Sequence, residues 1–182
     1  SESEKTLKDL DEISKRYEKK VREMLERHKR LSEETKKRDD EALERLTRLV
    51  KELKDVARRG DISEDEIRRT LEELRELVKD VKRRNDETNR ELEERSDRVN
   101  KDLERINRDL KRLVDEAAKR GISEDVKRRL DELLERHKRI SEEVEKRNED
   151  LLREHEEISR RSKKRIDDLL REAERILDEM RR

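Results

Sequence analysis

Residues 133–150 read LLERHKRISEEVEKRNED, residues 151–168 read LLREHEEISRRSKKRIDD, and residues 169–182 begin a third copy, LLREAERILDEMRR. The repeat is 18 residues long, and no other feature of the chain constrains its fold as much. An α-helix has about 3.6 residues per turn, so one repeat closes roughly five whole turns. Each repeat position therefore returns to the same face of the helix. A strict heptad drifts around a straight helix and forces a left-handed supercoil, whereas a repeat of whole turns does not. The repeat predicts long helices that are nearly untwisted.

The same frame runs through the rest of the chain. It divides residues 7–60 into blocks 7–24, 25–42 and 43–60, and residues 71–121 into 71–88, 89–106 and a shorter 107–121. Counting the last helix from Leu134 brings all three into one frame. Apolar residues then fall mainly at block positions 1, 4, 7, 8, 11, 15 and 18. At about 100° per residue these fill one stripe roughly 120° wide, and nearly everything outside it is charged. A stripe of that width suits a single core seam and leaves little apolar surface for a second interface.

Two glycines punctuate the chain. Gly60 follows Val56-Ala57-Arg58-Arg59 and Gly121 follows Ala117-Ala118-Lys119-Arg120. Each occupies the place of a left-handed residue just beyond a helix end, with cations in the last turn to suit the helix dipole. Ile-Ser-Glu-Asp follows each turn, at residues 62–65 and 122–125. Ser63 and Ser123 read as N-caps; Ser63 with Glu66 fits a capping box, while Val126 stands at the equivalent place after Ser123. The expected helices span about 4–58, 63–119 and 123–180, each roughly 85 Å long at 1.5 Å per residue. Turns this short make neighbours antiparallel. The expected fold is therefore all-α: an elongated up-down-up three-helix bundle, nearly untwisted, with residues 1–182 as one domain.

Charged residues make up 59% of the chain and apolar residues 27%, which in another pattern would mean disorder. Here Lys+Arg and Asp+Glu are equal at 54 each, and the residue types are good helix formers set in strict period. A net charge of zero provides no general attraction to nucleic acid or anionic membrane. With one Tyr and no Phe or Trp there is no platform for stacking bases. No apolar run approaches the roughly 18 residues a membrane span needs, and no signal peptide is visible. With no Cys there is no disulfide or thiol chemistry.

The departures from the apolar stripe carry the functional information. The candidate buried polar residues are Ser14, Tyr17, His28, Ser32 and Thr35 in the first helix. In the second they are Asn85, Thr88, Asn89, Ser96, Asn100 and Asn107. In the third they are His137, Ser141, Asn148, His155, Ser159 and Ser162. Asp39 falls at an inward position, yet a carboxylate beside Arg38 is expected to be a solvated or ion-paired edge residue. Each His is followed by Ser four residues later, so the two share one face. The short turns put level residues at numbers adding to about 121 between helices 1 and 2, and to about 242 between helices 2 and 3. His137 is then level with Asn107, Asn100, Ser14 and Tyr17. His28 is level with Asn148, Asn89 and Ser96, and His155 with Thr35, Asn85, Thr88 and Asn89. Every His is expected to meet an Asn in its own layer.

A buried polar group without a partner costs about 1–3 kcal/mol. Such layers therefore penalise slipped pairings more than they stabilise the right one. Three sharper readings compete. An imidazole that both donates and accepts loses its acceptor on protonation, which would make the layers acid-sensitive. Metal binding is disfavoured, because His137 and His155 lie roughly 18 Å and 9 Å from the level of His28 along the helices, and no two histidines can share one ion. Catalysis by Ser, His and Asp39 lacks a cleft, an oxyanion loop and a Gly-rich turn.

The Gly-(Asp)-Ile-Ser-Glu-Asp turns, the 18-residue blocks, the absence of Gln and Pro and the equality of charge together resemble computationally designed, parametrically generated helical bundles. The resemblance covers the whole chain and implies a construction with no evolved biochemical task. Spectrin-like natural three-helix rods are less similar: the chain has no Trp, and its helices are longer and more regular. The expectation is a structural scaffold that is not an enzyme, with no cofactor and no obligatory partner. The alternatives are an assembly component that self-associates or accepts a partner helix through the apolar stripes, and a histidine-based pH-responsive bundle.

Overall fold

The computed structural model describes residues 2–60 and 62–181. Three helices account for nearly all of them: α1 (Glu2–Arg59), α2 (Glu64–Lys119) and α3 (Glu124–Arg181). Every expected boundary lies within one turn of the observed one. Gly60 and Gly121 have φ of 67° and 77°, the left-handed conformation that an L side chain disfavours. Gly60 donates to the Val56 carbonyl at 3.1 Å, while the end of α2 tightens, Arg120 donating to Ala117 at 3.1 Å and Gly121 to Ala118 at 3.3 Å. Ser63 accepts from the Glu66 amide at 3.2 Å, and Ser123 from the Val126 amide at 3.4 Å. The second cap therefore forms without the capping-box glutamate, since the hydroxyl needs only the backbone N–H.

Internal contacts divide the chain into two compact units. Unit 1 comprises residues 1–29 and 92–152, and unit 2 comprises residues 30–91 and 153–182. Each draws on all three helices. In unit 2 the core is one continuous cluster, with Leu46, Leu74, Val81, Ile166 and Leu177 each no more than 2% exposed. Unit 1 has two apolar clusters, one around Leu10, Leu110 and Leu130, the other around Val21, Leu103 and Val144.

Pairing directions follow from side-chain contacts within each unit. In unit 2, Asp86, Lys82 and Arg75 of α2 meet Lys163, Asp167 and Glu174 of α3 at 2.7, 2.8 and 3.5 Å, so one number falls as the other rises and the helices are antiparallel. The two expected sums imply that level residues of α1 and α3 differ by about 121. The polar pairs joining α1 to α3 have separations of 123 and 120 in unit 1 and 123 in unit 2, as parallel helices require. No described helix is long and apolar enough to cross a membrane.

Candidate functional site

The apolar stripes are interrupted where the sequence places Ser, Thr, Asn and His. In unit 1 the first interruption lies between the two apolar clusters. His137 is fully buried and Ser14 is 2% exposed, and His137 Nε2 is hydrogen-bonded to the Ser14 hydroxyl. Half-buried Tyr17 stacks on the imidazole with ring centres 5.4 Å apart and planes at 29°. On the α2 side, the Asn107 amide donates to Ser141 Oγ at 2.7 Å, and Ser141 donates to the His137 carbonyl at 3.0 Å. The second interruption of unit 1 holds buried His28, Ser96 and Asn148, with His28 Nδ1 donating to Asn148 Oδ1 at 3.4 Å.

Unit 2 gathers the rest. Ser32 Oγ and His155 Nδ1 are 3.1 Å apart. The hydroxyls of Thr35 and Thr88 are 3.1 Å apart, and Thr35 also donates to the Leu31 carbonyl at 2.9 Å. Asn85, fully buried, donates to the Val81 carbonyl at 3.0 Å and accepts from Ser159 at 3.2 Å. Ser162 is buried beside Asp39. Asn89 and Asn100 are half-buried, and their amide oxygens have no partner.

The geometry redistributes the expected partners. His137 meets Ser14 and Tyr17 and makes no bond to Asn107 or Asn100. His155 meets Ser32, while Asn85 bonds Ser159 and Thr35 pairs with Thr88. Among the described bonds only His28 meets an asparagine. The reason is the helical rotation between i and i+4, about 40°. On α3 that rotation aims His137 and His155 at α1 and their partner serines, Ser141 and Ser159, at α2. On α3 the two members of a His-x-x-x-Ser pair thus serve different neighbours, whereas on α1 His28 and Ser32 both face α3.

Asp39 is 1% exposed, so the expectation of a solvated edge carboxylate is corrected. Position 15 of the repeat is inward, and the frame outweighs the side chain's charge. Burial pushes its pKa up. Asn85, Ser162 and half-buried Arg84 oppose the shift, and Asp40 adds to it. Asn85 and Ser162 stand beside the carboxylate, but neither makes a hydrogen bond of good geometry to it; both its oxygens and Arg84 Nε lack a partner.

Burial likewise pushes the pKa of His137 and His155 down. For His137 the Glu18 carboxylate opposes this and Arg136 reinforces it, these two being joined as an ion pair at 3.0 Å. For His155 the opposing charge is Glu156. In each ring the second nitrogen, Nδ1 of His137 and Nε2 of His155, is buried without a partner. The Tyr17 hydroxyl is also buried and unpartnered, and its pKa is raised, first by burial and then by the Asp102 charge.

Ser14 and His137 make the contact of a nucleophile with its base. Both are enclosed, however, and no group orients the free ring nitrogen. Among the described residues no group of three or more His, Asp or Glu side chains is arranged to hold a metal ion.

No protein-family model matches the chain, and no curated protein matches it. A solved structure described as a computationally designed three helix bundle is similar, with a TM-score of 0.54 and 16% identity over 98% of this chain and 88% of the other. Similarity at that identity shows the fold, a three-helix bundle.

Proposed function

We propose that the chain is a designed structural scaffold whose buried polar side chains specify how its helices pair. One observation carries this reading: three separate α1–α3 polar pairs share nearly one offset, 123, 120 and 123 residues. A bundle shifted along its axis would break all three and leave buried groups unpaired, at about 1–3 kcal/mol for each. The description of the similar solved structure and the 18-residue frame support a designed origin.

The Ser14–His137 pair provides the test. His137→Leu strands the Ser14 hydroxyl and is expected to cost about 1–3 kcal/mol, less whatever the new apolar contact returns. Adding Ser14→Ala removes the stranded group and is expected to recover most of the loss. Urea midpoints of the two single variants and the double variant give the coupling. Asn107→Ala, which leaves the pair intact, is expected to show no coupling with His137→Leu. Strict additivity at Ser14/His137, or coupling to Asn107 in its place, contradicts the reading.

An acid response is a second reading, supported by the complete burial of His137 and His155. It is compatible with the first, because the groups that set the pairing would be the ones that titrate.

A further inference from the structure

Two grooves of unit 1 differ in the charges that line them. The groove between α1 and α3 mixes Glu4, Asp11 and Glu132 with Lys8, Arg129 and Arg136, and the Arg136–Glu18 ion pair joins the two helices. The groove between α1 and α2 is different. Along it stand Arg16, Lys20, Arg27, Arg98 and Arg105, with Asp102 the one carboxylate among the lining residues. Asp102 is already bound to Arg105 at 3.3 Å. In a chain of zero net charge, such a one-sided strip is an electrostatic template for anionic side chains.

The floor of this groove is apolar. Ile13, Tyr17, Val21 and Met24 contribute from α1 and Leu103 and Ile106 from α2. The exposed large hydrophobic residues of the described chain are Ile13, at 50%, and Leu113, at 39%. Ile13 lines the groove, and Leu113 lies seven residues, about two turns, beyond Ile106 and so continues its face. The α1 residues have the spacing with which one helix meets another along a seam. The Tyr17 hydroxyl lacks a partner among the described residues. In unit 2 the α1–α2 groove is also rich in arginine, but its apolar floor shrinks to Ala42 and Leu77.

We propose that the α1–α2 groove of unit 1 is a docking site for one amphipathic helix of a separate chain, with an apolar stripe flanked by acidic residues. Leu or Ile knobs of that helix would cover Ile13, Met24 and Ile106, and its flanking carboxylates would meet Arg16, Lys20 and Arg105. This goes beyond the scaffold reading and does not depend on it.

The test titrates the full chain with two labelled peptides of about three heptads, both with Leu at a and d. One carries Glu at e and g, the other Lys, and fluorescence anisotropy reads binding. The expected result is that the Glu peptide binds at least about tenfold more tightly, and that added salt narrows the difference. Ile13→Ser is expected to weaken the Glu peptide about fivefold or more without altering the helical spectrum, since Ile13 is half exposed. Arg16→Glu with Arg105→Glu is expected to reverse the preference. Equal binding of both peptides, no binding of either, or binding indifferent to Ile13→Ser overturns the proposal. Sedimentation of the chain alone closes the other route: self-association that Ile13→Ser abolishes assigns the groove to a second copy and also overturns it.

Discussion

Lowering the pH below about 6.5 is expected to destabilise the fold steeply. His137 and His155 are neutral in the folded state because burial holds their pKa below 6.5, whereas in the unfolded chain they titrate near the ordinary value. Below that value the unfolded state binds more protons, so stability falls as pH falls, until the lower folded-state pKa is reached. Each His contributes a slope of at most about 1.4 kcal/mol per pH unit, and the two together about 2.7. Protonation would also turn both ring nitrogens into donors, and in each ring one nitrogen already lacks a partner.

Asp39 acts with the opposite sign. Its folded-state pKa is raised, so its charge costs stability at neutral pH and that cost is relieved as pH falls through the folded-state value. The net curve should therefore fall below pH 6.5 and flatten at lower pH. Asp39→Asn is expected to raise stability at pH 7 and to lessen the flattening, leaving only the part due to the histidines. Urea midpoints from pH 7 to pH 4 check both. Stability that stays constant down to pH 5, or a slope undiminished in the His137→Gln, His155→Gln double variant, contradicts the assignment.

Leu74→Ala is expected to cost about 2–5 kcal/mol, the range for removing a buried leucine from a core that cannot collapse around the gap. Leu74 is 0% exposed within the continuous cluster of unit 2. The comparison is Leu113→Ala, the same change in the same helix at a residue 39% exposed, where a shift within about 0.5 kcal/mol is expected. Chemical denaturation of the two variants distinguishes burial from helix propensity, because Leu→Ala changes propensity alike at both sites. Similar losses would mean that the apolar cluster is not what holds unit 2 together.

The helices were legible in the sequence because several independent signals agree on them. The repeat sets the faces, Gly60 and Gly121 set the ends, and Ser63 and Ser123 set the starts. The α1–α3 offset was legible too, because tight turns leave a rigid hairpin little freedom to slide. His28 has the partner its level names, Asn148, but the partners of His137 and His155 were not legible. Level alone does not fix direction, and a rotation of about 40° between His137 and Ser141 decides which neighbour each one faces. Helical angle taken together with level singles out Ser14 among the residues level with His137 and adds Ser32 for His155.

Asp39 shows the opposite failure. The repeat placed it inward, and the usual exposure of carboxylates argued against the repeat. Here the frame was the better guide, because a helix held at both ends of its core cannot rotate one residue outward. The split of contacts into two units had no signal in the sequence, since the repeat runs unchanged through both.

The central claim is that the polar side chains choose the pairing and the apolar ones supply the stability. The most direct measurement is a distance distribution between α1 and α3 within unit 1, with and without the polar layers. The chain has no cysteine, so Lys15→Cys and Lys138→Cys, both at exposed sites, place two unique spin labels. The parent chain should give one narrow distance by double electron–electron resonance. Replacing Ser14, His28, Ser32, His137, Asn148 and His155 by apolar residues should raise the melting temperature yet spread the distances over several values. A single narrow distance, unchanged from the parent, would contradict the claim.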